Sequence, residues 1–336
     1  MAQGSEKRGL VVVAGAGGFI GGHLVGHLKS QGWSAVRAVD FKDTGEWYQH
    51  HPGVEERRLD LRDIAACRDA VAGASHVYNL AADMGGMGFI ETHKAECMLS
   101  VLINTHLLMA ARDAGVQRFF FSSSACVYNA DKQVSADVTA LREEDAYPAM
   151  PEDGYGWEKL FSERMCRHFR EDFGLVTRMA RYHNVYGPWG TYDGGREKAP
   201  AAICRKVIEA KRTGRHEIEI WGDGEQTRSF MYIDDCLEGS VRLMESGVED
   251  AINIGSDELV SINRLVDIAE TIGGVTLKRR YKLDAPKGVR GRNSDNAMIK
   301  QVLGWAPSIR LEDGLEKTYR WIHDQMTGAT ATRRAG

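Results

Sequence analysis

Tyr155 and Lys159 stand four residues apart in Asp153-Gly-Tyr-Gly-Trp-Glu-Lys-Leu-Phe-Ser-Glu163. Residues at i and i+4 share one helix face, so an ammonium there lowers a phenol's pKa and equips it as a base toward a hydroxyl that is losing hydride. A second pair with this spacing, Tyr128 and Lys132, follows a strand in a polar stretch with Asn129 and Asp131 and lacks an apolar helical period to hold it. The first pair has acidic residues leading its helix and apolar residues at helical spacing behind, and it is the pair chosen. Ser122, Ser123 and Ser124 close a predicted strand upstream. They lie at the edge of a doubly wound sheet where ligands bind, and they offer a hydroxyl to orient a substrate oxygen.

A redox step of that kind needs an electron carrier, and the N-terminal region reads as its cradle. Gly15-Ala16-Gly17-Gly18-Phe19-Ile20-Gly21 follows the first predicted strand and opens the first helix. Glycines at 15, 18 and 21 let the backbone approach a pyrophosphate, whose charge is stabilised by the free N–H groups and the positive end of the helix dipole. Asp40 ends the next strand, where a carboxylate accepts both hydroxyls of an adenosine ribose and repels a 2′-phosphate. That favours NAD over NADP, although Lys42 two residues on weakens the inference. Asp60 has two readings of equal weight, a partner for the adenine amino group or an N-cap for a helix beginning near Arg62.

These residues must be held by a scaffold. The chain has 336 residues, enough for about two structural units. Short β-branched runs alternate with amphipathic stretches in a βαβ rhythm: Leu10 to Ala14, Phe19 to Gln31, Ala35 to Asp40, Val54 to Leu59, Arg62 to Val71, Val77 to Leu80, His93 to Ala114, and Arg118 to Ser122. A helix over Tyr155 to Phe173 and a strand over Val176 to Arg181 follow. The fold class is therefore α/β, a doubly wound parallel Rossmann sheet over residues 9–181, to which later segments can return. A smaller α/β substrate lobe spans 182–326, with helices predicted at Pro200 to Ala210, Asp235 to Glu245, Ile262 to Ile272 and Leu311 to Gln325. Residues 1–8 and 327–336 read as loose tails.

Composition excludes several classes. Lys+Arg 43 against Asp+Glu 47 gives a net charge of −4, so no global basic field exists to hold a nucleic acid. The first apolar run is too short for a signal-peptide core and no run approaches a membrane span, so the expectation is a cytoplasmic chain without a membrane partner. Six cysteines without CxxC spacing suit neither a disulfide scaffold nor a metal site, and no metal is expected.

Taken together, the glycine turn, Asp40, the strand serines and Tyr155 with Lys159 resemble the extended short-chain dehydrogenase/reductase superfamily over about Leu10 to Gln325. Longer blocks are similar to the GDP-mannose 3,5-epimerase family: Asn79-Leu-Ala-Ala-Asp-Met-Gly-Gly-Met-Gly-Phe-Ile90, Ser123-Ser-Ala-Cys-Val-Tyr128 and Gly194-Gly-Arg-Glu-Lys-Ala-Pro-Ala-Ala202. Trp221-Gly-Asp-Gly-Glu-Gln-Thr-Arg-Ser-Phe230 and Gly288-Val-Arg-Gly-Arg-Asn-Ser-Asp-Asn296 fit the same family. The resemblance implies tightly held NAD, a homodimer through the two long helices, and epimerisation of GDP-mannose at C5 and/or C3. The reaction would pass through a transient 4-keto intermediate to GDP-L-galactose and/or GDP-L-gulose.

By the same resemblance Tyr155 is the base at the C4 hydroxyl, and Cys126 and Lys198 are the acid/base pair at the epimerised carbons. Positive charge from NAD⁺ and Lys198 is expected to favour the Cys126 thiolate. In isolation Cys126 reads as a buried thiol and Lys198 as a solvated loop cation. Gly85, Ser124, Ala125, Asn184, Glu197, Ala199 and Gln226 are expected at the substrate, with Lys206, Arg228, Arg290 and Arg292 as candidate cations for its diphosphate. Three alternatives stay open, the first being another nucleotide-sugar epimerase of the same superfamily. A 4,6-dehydratase would carry an acidic pair where this chain has Ala125-Cys126, and a non-catalytic NAD sensor would need only the phosphate cradle.

Overall fold

The structure is a computed structural model that describes residues 9–328. The first half runs β1 (Leu10–Ala14), α1 (Phe19–Ser30), β2 (Val36–Asp40), β3 (Glu55–Arg58), α2 (Ile64–Val71), β4 (Ala74–Asn79), α3 (Met87–Thr92), α4 (Lys94–Asp113), β5 (Arg118–Ser124), α5 (Asp153–Phe173) and β6 (Val176–Tyr182). The second half runs β7 (Val185–Tyr186), α6 (Ala199–Thr213), β8 (Glu217–Trp221), β9 (Thr227–Ser229), β10 (Met231–Tyr232), α7 (Ile233–Glu245), β11 (Ile252–Ile254), β12 (Leu259–Ser261), α8 (Ile262–Gly273), β13 (Lys278–Lys282), β14 (Gly291–Arg292), α9 (Ala297–Leu303) and α10 (Leu311–Thr327).

Seven parallel strands form the main sheet in the order β11-β6-β5-β4-β1-β2-β3. The order reverses direction between β1 and β4, and a ligand crevice forms at such a switch point. Period-2 alternation in β1 explains why both faces are covered. Val11 and Val13 pack with Leu24, Val25 and Leu28 of α1, while Val12 and Ala14 pack with Val71 of α2 and Leu107 and Leu108 of α4. A run of fully buried valines is what a strand sandwiched between helix layers requires. The smaller lobe is built on α6, α8 and α10, which pack on one another, with the β8–β13 pair and the β12-β9-β14 sheet beside them.

Some element boundaries differ from the sequence expectation. The long helix predicted from His93 is preceded by a separate short helix, α3, and His93 forms the joint with φ −125° and ψ 46°. The glycine-rich stretch before it reads as loop, so propensity hides that turn of helix. Helix α2 begins at Ile64 and is capped by Asp63, whose carboxylate accepts from the Ala65 N–H at 2.8 Å. The N-cap role considered for Asp60 is thereby overturned. Of the expected tails, residues 1–8 and 329–336 lie outside the described residues; Thr327 ends α10 and Gly328 caps it in the left-handed conformation.

Candidate active site

A cavity of about 1220 Å³ opens along the C-terminal edge of the sheet, floored by the ends of β1, β2, β4 and β5 and roofed by residues of the smaller lobe. Gly15, Gly18, Phe19, Ile20, Gly21, Asp40 and Asp60 all line it. Gly15 has φ +83°, and a Cβ there would lie 2.9 Å from the backbone of Leu80 and Ala81. A Cβ on Gly21 would fall 2.1 Å from the Gly15 carbonyl oxygen, so any side chain would force turn and helix apart. Helix α1 has no side-chain cap and no acidic residue in its first turn, so no carboxylate competes for its first N–H groups. This glycine-shaped, uncapped turn fits a dinucleotide pyrophosphate. Asp40 anchors the turn: its carboxylate accepts from the Gly17 N–H at 3.0 Å and the Lys42 N–H at 3.1 Å. Asp60 is held by Arg62 at 2.6 Å and stays at the cavity wall.

The redox pair lies on α5. Tyr155 is buried beside Met84, Phe89, Ile90, Cys97 and Cys126. Lys159 is 1 % exposed, with its ammonium 5.6 Å from the Tyr155 ring centre and 4.7 Å from that of Phe121. The expected lowering of the phenol's pKa by Lys159 is not found. Burial pushes Tyr155 well above its ordinary value, Cys126 and Glu158 push the same way, and a hydrogen bond with Ser124 opposes them. The Lys159 ammonium is instead 3.6 Å from the Glu158 carboxylate, in a pair that is nearly solvent-free. Burial there also raises the Glu158 carboxyl. The rejected pair has no access to the cavity: Tyr128 donates to Asn253 Oδ1 at 2.5 Å, and Lys132 is paired with Asp145.

Ser124 does two things at the end of β5. Its hydroxyl accepts from the Cys126 N–H at 3.2 Å, which caps the tight 3₁₀ turn Ala125–Val127, and it also bonds Tyr155. The neighbouring Ser123 donates to Glu163 at 2.5 Å, and Glu163 pairs with Arg181 at 2.8 Å, so that serine is structural. Cys126 opens onto the cavity with 8 % of its surface exposed. Its thiolate is not favoured as expected. Burial and the Glu152 carboxylate raise the thiol, and the opposing cation is Arg292, whose Nη1 lies 3.5 Å from Sγ.

Lys198 reaches the same cavity from the N-terminus of α6. Burial lowers its pKa, and the charge of Cys126 acts in the opposite direction. A crossing of two loops places it. The Gly86 N–H donates to the Arg196 carbonyl at 3.0 Å, and Arg196 pairs with Asp83 at 2.7 Å while its guanidinium stacks 3.8 Å from the Phe89 ring centre. Glu197 accepts from the Gly195 N–H at 2.7 Å. Gly85, Ala125, Glu197 and Ala199 complete this part of the lining. Asn184 also lines the cavity, in the strained left-handed region with φ +36°, and donates to the Ser229 carbonyl at 3.0 Å.

Of the four cations expected at the diphosphate, Lys206, Arg228 and Arg292 line the cavity. Lys206 donates to the Glu219 carbonyl at 2.9 Å, with its ammonium 5.9 Å from the Trp221 ring centre. Arg228 donates to backbone carbonyls of Thr227, Lys287 and Val289, and burial, then Arg292, depress it to about 10. Gln226 also lines the cavity, its amide donating to the Trp221 carbonyl at 2.7 Å while Oε1 is buried without a partner. Arg290 is a correction: it is turned away into an ion pair with Asp223 at 2.8 Å and does not line the cavity. Arg292 does line it, but its charge is committed to Glu152 at 2.8 Å and its Nε to Gln133 at 2.6 Å. Sequence reasoning missed Glu152, Gln133 and Arg196. Glu152 reads as helix-leading acid, and its partner lies 140 positions away.

Among the described residues no group of three or more His, Cys, Asp or Glu is arranged to hold a metal ion, and no helix is long and apolar enough to cross a membrane.

Comparison with known proteins agrees with this geometry. Residues 11–255 match the model of the NAD dependent epimerase/dehydratase family. The chain is 47% identical over 317 residues to GDP-mannose 3,5-epimerase 1 of Oryza sativa subsp. japonica, covering 94% of this chain and 82% of that protein. The solved UDP-glucose 4-epimerase of Thermotoga maritima with UDP-glucose superposes with a TM-score of 0.85 at 26% identity, covering 94% of this chain and 99% of that one. MoeE5 in complex with UDP-glucose and NAD gives a TM-score of 0.79 at 30% identity, covering 95% and 100%. The chain belongs to the NAD dependent epimerase/dehydratase family.

Proposed function

We propose that this chain epimerises GDP-mannose at C5 and/or C3 through a transient C4 ketone, giving GDP-L-galactose and/or GDP-L-gulose. The observation that carries the reading is that Tyr155, Ser124, Cys126 and Lys198 all line one cavity. The 47% identity to the rice enzyme supports the choice of substrate.

Residues Gly15, Gly18, Phe19, Ile20 and Gly21 would hold the cofactor's pyrophosphate, Asp40 its ribose and Asp60 its adenine, with Tyr155 and Lys159 at the nicotinamide end. NAD held tightly there would supply the hydride acceptor, and later the hydride donor, for C4. Tyr155 takes the C4 hydroxyl proton while Ser124 orients the oxygen. A ketone at C4 acidifies the C–H bonds at C3 and C5, which no thiol or amine could break in the unoxidised sugar. Burial draws both Cys126 and Lys198 toward their uncharged forms, in which the amine is the base and the thiol the acid. Inversion follows when one group takes a proton and the other delivers one to the opposite face. Tyr155 then gives its proton back to the C4 oxygen. Lys206, Arg228 and Gln226 are the diphosphate and nucleotide contacts this reading requires.

A homodimer is part of the proposal. Helices α4 and α5 pack side by side and expose Met98 and Leu102 from one and Trp157 and Phe161 from the other, with Phe161 51% exposed. A second copy of this chain covering that face removes four large apolar side chains from water. Six free, buried cysteines suit a reducing, cytoplasmic compartment.

Incubation with GDP-mannose in deuterated water is the test. Solvent deuterium is expected at C5, and at C3 where that centre also reacts. No incorporation at either carbon overturns the reading, and release of water to a 4-keto-6-deoxy product would point to dehydration instead.

A further inference from the structure

The sulfur of Cys126 is held between opposite charges that come from distant parts of the chain. Arg292, on β14, points Nη1 at Sγ from 3.5 Å and Nη2 at Glu152 Oε2 from 2.8 Å. The Glu152 side chain is 12% exposed and that of Arg292 5%, so the pair is screened from water on nearly every side. Glu152 is also fixed by its backbone, whose N–H donates to the Cys126 carbonyl at 2.9 Å. Gly156 lets α5 close on that same carbonyl, since a Cβ there would lie 2.4 Å from the oxygen. Gln133 holds the far side of the guanidinium through Nε at 2.6 Å. Residues 126, 152 and 292 therefore form one rigid cluster at the cavity wall, and the Glu152 carboxylate is the only anion in it.

We propose that Glu152 is a positioning residue for the Cys126 acid/base: by neutralising Arg292 and facing the sulfur, it keeps Cys126 in the protonated form that donates a proton to the sugar carbon. A lone guanidinium against a buried sulfur stabilises the thiolate, and a carboxylate on the same guanidinium cancels that preference. The other groups that face Cys126 are Ser124 on β5, Tyr155 on α5, Cys97 on α4, Arg228 on β9 and Lys198 at the start of α6. Among these Arg228 and Lys198 are cationic when protonated, so the carboxylate of Glu152 is what offsets a positive surround. The inference rests on the reading of Cys126 as an acid/base, but its main readout does not need turnover.

The test is the pH dependence of Cys126 alkylation by iodoacetamide in the whole, folded protein, with the modified residue located by mass spectrometry and Cys126→Ser as the blank. Glu152→Gln preserves shape and still accepts from Arg292. It is expected to lower the midpoint of alkylation by about one pH unit or more, and so raise the rate at neutral pH about tenfold. Glu152→Asp, which restores the charge, is expected to return the midpoint toward the original. The alkaline limb of kcat, along which a required proton donor is lost, should move with the alkylation midpoint, while a purely structural role changes KM or thermal stability and leaves both where they were. An unchanged midpoint in folded Glu152→Gln overturns the proposal. A shifted midpoint in a protein that incorporates no solvent deuterium leaves the control of the Cys126 thiol by Glu152 standing and removes the epimerase reading, and with it the proton transfer to sugar, instead.

Discussion

A methyl group on Gly86 would lie 2.4 Å from the carbonyl oxygen of Glu197, the residue before Lys198. That contact is backbone against backbone, with no flexible side chain to yield, so the two loops can cross only if residue 86 has no Cβ. The crossing forms part of the cavity wall and sets where Lys198 enters it.

Gly86→Ala is therefore expected to displace the segment Arg196–Lys198 rather than unfold the chain. The expected outcome is a fall in kcat of ten- to a hundredfold, with cofactor content and Tm little changed, because the phosphate turn at Gly15 to Gly21 is remote from the clash. Steady-state kinetics beside absorbance of bound cofactor checks this. Wild-type kcat in Gly86→Ala would remove the loop crossing from the account.

Cys126→Ala and Lys198→Ala each delete one proton carrier and leave the cofactor turn untouched. Each is expected to suppress solvent-deuterium incorporation by at least about a hundredfold while NAD stays bound. Transient oxidation at C4 should persist, visible as reduced-cofactor absorbance on adding GDP-mannose, because Tyr155 and Ser124 remain. Unchanged incorporation in both variants rejects their assigned roles.

How far the sequence carried depends on the distance over which each interaction acts. The strands and long helices follow from periodicities within a dozen residues, and the predicted strand Leu10 to Ala14 matches β1 residue for residue. Gly15, Gly18 and Gly21 were legible because a strand, a tight turn and a helix occur consecutively. Tyr155 was separable from Tyr128 because one lies in an amphipathic helix and the other does not. Ionisation was not legible. Whether Lys159 lowers the Tyr155 pKa depends on burial and on Glu158, and whether Cys126 is a thiolate depends on Glu152 and Arg292. The first balance turns on burial, and the second on an arginine 166 positions from the thiol; no local spacing encodes either. Arg290 and Arg292 illustrate it well: two residues apart in one strand region, one is turned to solvent against Asp223 and the other is buried against Cys126.

Phe161 on α5 and Leu102 on α4 test the second copy. Phe161→Glu or Leu102→Glu places a charge in the proposed helix–helix interface, where burial without a partner is costly. Each variant is expected to sediment at monomer mass at concentrations where the parent is a dimer. A parent that is itself monomeric removes the dimer from the proposal.

His183 offers a pH test of stability that is independent of catalysis. It is fully buried behind the cavity, its Nε2 2.9 Å from Asn253 Oδ1, while Nδ1 has no partner. Burial is the main cause that depresses its pKa from 6.5 to about 3, and the positive charges of Arg292 and Arg181 add to it. The folded chain thus keeps this ring neutral where the unfolded chain protonates it. Above pH 6.5 the group contributes no pH dependence. As pH falls from 6.5 toward about 3 the unfolded state binds one proton more, and stability drops by about 1.4 kcal/mol per pH unit through this residue. His183→Gln retains a donor toward Asn253 but cannot titrate. Its urea-unfolding free energy, followed between pH 6 and pH 4, is expected to fall less steeply than the parent's by about one proton. Parallel slopes in the two proteins would mean that His183 is already protonated in the folded chain or exposed to solvent before it unfolds.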